Sequence, residues 1–255
     1  MTNAERLAAL VITFVVSLAL GLLVDPPWSW ALLGVTVLLV CIGADQILHY
    51  HWRARGHRRR YAMTAWSLPA LATVAAFLFL RLPLFYSGVG MGLGLAAAAG
   101  LLTLIIVSQY RALDPTDPLR RPARLILSLV AYLLALGLYS AIYAPKVRSL
   151  LSAPAVAVVS ILLALEVLRQ GDVETRRVAL IAGVIGVVLA EMTWSLNYCV
   201  VSDLVGGAIL LLAFYYLVGL SQHYLAGELN GRLAVELGSV AALGLCLIFV
   251  LSTIP

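Results

Sequence analysis

The chain contains one lysine, Lys146, and Asp, Glu, Lys and Arg together make up only 11% of its 255 residues. A soluble domain carries roughly 25% charged residues, so this composition cannot furnish an ordinary water-facing surface. Long polar stretches are missing too. No segment between apolar runs exceeds roughly 20 residues, far below the size of an independent core, which excludes a hidden soluble domain. Cysteine is scarce and scattered: Cys41, Cys199 and Cys246 lie in or beside three different apolar runs, with no CxxC pair. That pattern excludes a disulfide framework and a thiolate metal site. A retinal-type Schiff base needs a lysine in a late helix, whereas Lys146 falls in a short turn. Walker A, H-E-x-x-H and G-x-S-x-G sequences are all absent, so ATP hydrolysis, zinc proteolysis and that serine-hydrolase arrangement have no visible machinery.

What the chain has in abundance is hydrocarbon. Hydrophobic residues make up 63% of it and the mean hydropathy is +1.02. At about 20 apolar residues per span there is room for about eight to ten membrane-crossing helices. The apolar runs predict nine: residues 7–24, 28–50, 64–84, 88–110, 125–143, 150–168, 178–197, 204–223 and 233–254. The fold class expected is therefore an all-α polytopic transmembrane bundle forming one domain. Asp25-Pro26-Pro27 stops the first run, because proline cannot continue a helix. Trp28 and Trp30 open the second where a membrane–water boundary belongs. Residues 1–6 lead into the first run without an A-x-A cleavage pattern, so that helix is expected to be retained.

A pI near 9.3 and a net charge of +5 invite a nucleic-acid reading, but the basic residues lie between spans or, for Arg81, at a span's end and act as topology signals. His51-Trp52-Arg53-Ala54-Arg55-Gly56-His57-Arg58-Arg59-Arg60 is the most polar stretch. With that loop on the cytoplasmic side, fourteen of the seventeen Lys and Arg residues fall inside, and only Arg81, Lys146 and Arg148 fall outside. The positive-inside bias then predicts a cytoplasmic N-terminus and an external C-terminus. The fourth run, with Gly88, Gly90, Gly92, Gly94 and Gly100, reads as a close-packing surface. In the fifth, Tyr139 and Tyr143 read as part of an aromatic belt.

The residue of greatest chemical interest is Glu191, alone among Ala, Val, Ile and Leu in the seventh run. It lies roughly 20 Å from the inner end of its span and about 9 Å from the outer end, at about 1.5 Å per residue. An ionisable group at that depth has to be paired, protonated or turned toward a polar interior. Trp194 and Ser195 follow at helical spacing, then Asn197 and Tyr198. Arg81, near the outer end of the third span, is the candidate partner, and a Glu191–Arg81 clamp is the plainer reading. A proton carrier facing a cavity is the sharper one. A second candidate group gathers toward the inner face: Asp45, His49, Glu166, His223 and Glu236. Its plain reading is interfacial side chains pairing with the basic loops; its sharper reading is a proton or cation vestibule. His49 and His223 have no supporting pattern as haem or pigment ligands, and neither a cofactor nor a metal is expected.

The stretch Glu191-Met192-Thr193-Trp194-Ser195-Leu196-Asn197-Tyr198, followed by Gly206-Gly207 and by Gln222-His223, resembles uncharacterised multi-pass membrane proteins of bacteria such as Chloroflexi, grouped as a domain of unknown function. The resemblance covers the last third and implies a bacterial cytoplasmic-membrane protein, without transferring an activity. The leading expectation is a non-enzymatic structural or scaffold subunit whose partners are membrane lipids and other membrane subunits, with no nucleic acid. A small proton-coupled transporter or channel using Glu191 is the first alternative, and a lipid-modifying membrane enzyme the second.

Overall fold

The structure, a computed structural model, describes residues 3–55, 65–113, 117–144, 149–169, 175–199, 201–227 and 230–253. Among these residues there are nine α-helices, one short 3₁₀ turn and no strand. The helices are α1 (Asn3–Leu23), α2 (Trp28–Arg55), α3 (Ser67–Leu80), α4 (Gly88–Leu113), α5 (Arg120–Tyr143), α6 (Ser149–Leu168), α7 (Thr175–Leu196), α8 (Asp203–Ala226) and α9 (Gly231–Thr253). Eight of them are long and apolar enough to cross a membrane.

Most run past the limits read from the apolar runs. Helix α2 continues to Arg55 and α5 begins at Arg120, although the hydrocarbon stretches end at residue 50 and begin at residue 125. Polarity marks where lipid stops; it does not stop the backbone ladder, which continues until a cap or a proline intervenes. The caps are visible where the chain turns. Ser87 Oγ accepts the N–H of Gly90 at the start of α4, and Asp117 Oδ1 accepts the N–H of Leu119 before α5. Gly227, at φ 73°, closes α8 by donating its N–H to the carbonyls of His223 and Tyr224.

Helix α3 is shorter than the 64–84 run that announced it. It has 14 residues, about 21 Å at 1.5 Å per residue, against roughly 30 Å of hydrocarbon. Its apolar composition continues all the way round, and Leu68, Ala70, Leu71, Ala72, Ala75 and Phe77 are all buried. A helix apolar on every side is one surrounded by other helices or by lipid. Pro83 opens the 3₁₀ turn Pro83–Phe85 and holds Leu82 extended, which ends α3 early.

The chain divides into two compact units, Met1–Val130 and Ala131–Pro255, with the border inside α5. In the first unit the core is a set of repeated helical positions: Leu10, Phe14 and Leu18 on α1, Leu33, Val40 and Ile47 on α2, Phe77 and Leu80 on α3, and Ala98, Leu102 and Ile106 on α4. In the second unit α6 and α7 share the most extensive helix contact. Their buried faces carry Val156, Leu163 and Val167 against Val178, Ala182, Ile185 and Leu189, beside Leu210, Phe214 and Val218 of α8. The outward faces are equally apolar. Ile12, Val16 and Leu20 of α1, and Leu125, Leu129 and Leu133 of α5, are exposed at one-turn spacing. Stripes like these require a hydrocarbon solvent, in which dispersion packing, close approach of small residues and interhelical hydrogen bonds hold helices together.

Candidate functional site

Helix α7 has two faces. Val178, Ala182, Ile185, Gly186, Leu189 and Thr193 are turned inward. Leu180, Val184, Val187 and Trp194 are exposed, and Glu191 is exposed in the same stripe, one turn beyond Val187. Among the described residues the Glu191 side chain has no hydrogen bond or ion pair. Trp194, 57% exposed, and Tyr198 continue the stripe toward the helix end, where their amphipathic rings suit the interfacial belt. Glu191 therefore shares an outward face with Trp194, three residues further along α7.

The other members of the first candidate group have contacts of their own. Asn197 donates through Nδ2 to Ser152 Oγ at 3.0 Å, tying the end of α7 to the start of α6. Arg81 belongs to the first unit and Glu191 to the second, and each is placed here within its own unit. In the first unit the Arg81 guanidinium carbon lies over the Phe77 ring, 4.4 Å from its centroid, and 5.7 Å from the centroid of Trp30. Those two rings meet edge to face at 5.6 Å.

The inner group also divides. Asp45, half-buried on α2, belongs to the first unit together with His49, whose side chain lies outside the described residues. Glu166, His223 and Glu236 belong to the second. Glu166 is 2% exposed at the end of α6, and both its carboxylate oxygens accept from Arg169 Nη2 at 3.3 Å. That i,i+3 pair closes the end of the helix. His223 is half-buried near the end of α8, and Glu236 is exposed on α9. The basic stretch 56–60, together with Lys146 and Arg148, lies outside the described residues. Among those described, no group of three or more His, Cys, Asp or Glu side chains is placed to hold a metal ion.

The polar contacts that sequence reasoning missed are small hydroxyls inside the second unit. Tyr139 and Tyr143 are not belt residues. They are 0% and 2% exposed, and both hydroxyls make hydrogen bonds inside the bundle. Tyr139 Oη lies 2.8 Å from Ser160 Oγ. Ser160 spends its single proton on the Val156 carbonyl at 2.6 Å, so Tyr139 is the donor. Tyr143 donates to the Leu196 carbonyl at 2.8 Å. With Asn197–Ser152, these bonds tie α5 to α6, α5 to α7 and α6 to α7. In the first unit Gln109 donates to the Ala65 carbonyl at 3.0 Å, holding α4 to the start of α3. The only available signal was a Ser, Thr or Asn within an otherwise apolar run. Interhelical hydrogen bonds in membranes are worth about 0.6 kcal/mol on average and up to about 1.7. A double-mutant cycle of Tyr139→Phe and Ser160→Ala, read by denaturant unfolding in detergent, is expected to return a coupling energy in that range. A value near zero would remove the bond from the stabilising set.

Apolar stripes on both sides of the helices, eight membrane-length spans and interior polar ties define a multi-pass integral membrane protein made of helices. The chain belongs to the family described as "Protein of unknown function (DUF5656)", which matches residues 8–251. The match extends the likeness read in the last third to nearly the whole chain. No curated protein and no solved structure matches it.

Proposed function

We propose that this protein is a non-catalytic subunit of a larger membrane assembly, embedded with its N-terminus in the cytoplasm of a bacterial cell and its α7 stripe covered by another chain. The observation that carries this reading is Glu191, exposed among Leu180, Val184, Val187 and Trp194 with no partner among the described residues. A carboxylate facing lipid at that depth costs several kcal/mol, and the cost disappears when a neighbouring subunit presents a hydrogen-bond donor or a cation there. Its outward direction supports an intermolecular contact over a proton path through a bundle interior. The positive-inside distribution supports the orientation.

The test is the size of the complex after gentle extraction from native membranes. Wild-type protein is expected to run well above the 27.3 kDa of one chain plus its detergent. Glu191→Leu is expected to release it to the monomer, while Glu191→Gln, which keeps a hydrogen-bonding amide, is expected to retain most of the complex. A wild-type monomer, or a complex indifferent to Glu191→Leu, would overturn the proposal. If Glu191→Gln instead abolished a proton flux in liposomes, the transporter reading would replace it.

A further inference from the structure

We infer that Arg81, held by Phe77 and Trp30, is a binding site for the phosphate of an anionic phospholipid in the leaflet at the Trp28 end of α2. The guanidinium is half-buried and its two ring neighbours are set, with Phe77 at 4.4 Å and Trp30 at 5.7 Å. Contact with aromatic faces satisfies the π surface of the cation, but the five N–H donors lie in the guanidinium plane and still require acceptors. Among the described residues the Arg81 side chain makes no hydrogen bond and no ion pair, and Asp25, in the link at that same end, makes no ion pair either.

The fixed charge also sits at the right height. Trp30 lies within one turn of the start of α2 at Trp28, while Arg55 closes the far end of the same helix, about 37 Å away at 1.5 Å per residue. Arg81 is therefore at a membrane surface, and exposed Trp28, Leu82 and Tyr86 lie in the same end segments. Such side chains suit the glycerol and upper acyl region of a lipid. A phosphodiester there offers two acceptor oxygens in the spacing that an arginine fork reads bidentately. Helix α3 ends one residue earlier, at Leu80, and the negative end of its dipole favours a cation there.

The experiment uses the full chain in detergent with a photoactivatable phosphatidylglycerol, matched against a phosphatidylcholine of the same acyl chains, and maps adducts by peptide. Labelling of residues 81–87 is expected to be about tenfold stronger for phosphatidylglycerol. Arg81→Gln is expected to remove that preference, Arg81→Lys to keep part of it, and Trp30→Leu to weaken it severalfold with the charge intact. Labelling at the Arg53 end of α2 is expected to be unchanged in all three variants. Equal labelling by the two lipids, or a preference that survives Arg81→Gln, would overturn the inference. Displacement of the lipid by millimolar inorganic phosphate would reassign the site to a soluble anion and overturn it as well. Should Arg81→Gln fail to fold, the wild-type lipid comparison and Trp30→Leu decide the matter.

Discussion

Gly207→Val is expected to leave the second unit unable to pack, with a loss of about 3 kcal/mol or more, the upper end of the overpacking range. A Cβ at Gly207 would land on Ser140 Oγ, and would stand 2.8 Å from the Ser140 backbone nitrogen and 2.9 Å from its Cα. Removing the hydroxyl relieves only the first of these, because the other two atoms are the backbone of α5. At the neighbouring Gly206, a Cβ would meet the Tyr143 ring at 2.7 and 2.8 Å. The pair is therefore the place where α8 approaches α5 closely, as small residues allow in membranes. Denaturant unfolding in detergent checks this, with Gly183→Ala as the control: a Cβ there meets nothing within 4 Å, and the change is expected to stay within about 0.5 kcal/mol. Equal stability of Gly207→Val and wild type would show that α5 and α8 do not pack as described.

Gly186→Ala is expected to be the second most damaging of these changes, at about 2 kcal/mol. Its Cβ would lie 2.5 Å from Ile161 Cγ1 and 2.9 Å from the Ala157 carbonyl oxygen, in the contact between α7 and α6. Here one obstacle is a side chain. Ile161→Ala in the same chain is expected to recover part of the loss, whereas no side-chain change at Ser140 rescues Gly207→Val. The difference between the two sites, read in the same unfolding assay, separates a clash with backbone from a clash with a movable group. Additive losses in the Gly186→Ala, Ile161→Ala double variant would refute the assignment.

How far the sequence could be read depended on what each residue has to solve. The runs at 7–24, 88–110 and 204–223 announce membrane spans because about 20 consecutive apolar residues have no other use, and eight long apolar helices stand where such runs are. Their ends were less legible, since α2 and α5 continue beyond the hydrocarbon limit without a stop signal. The third run did not announce the length of its helix, because burial inside a bundle and contact with lipid call for the same side chains. Glu191 was legible as an anomaly of depth, but not as an outward-facing residue. Arg81 was read as a partner for Glu191, and the ring faces of Phe77 and Trp30 beside it within its own unit were not foreseen. The family match adds breadth to this reading while leaving the chemistry to these residues.

The sequence by itself determined that this is a helical protein dissolved in hydrocarbon: long apolar runs, sparse charge and basic residues that, Arg81 aside, lie outside the runs admit no other solvent. Tertiary structure alone decided which face of each helix is interior. In water, polarity separates inside from outside along a helix. In lipid both sides are apolar, so Val184 and Ile185 look alike in the sequence while one is exposed and the other buried. Only packing against neighbouring helices, through close approaches such as Gly207 on Ser140 and bonds such as Tyr139 to Ser160, sets them apart.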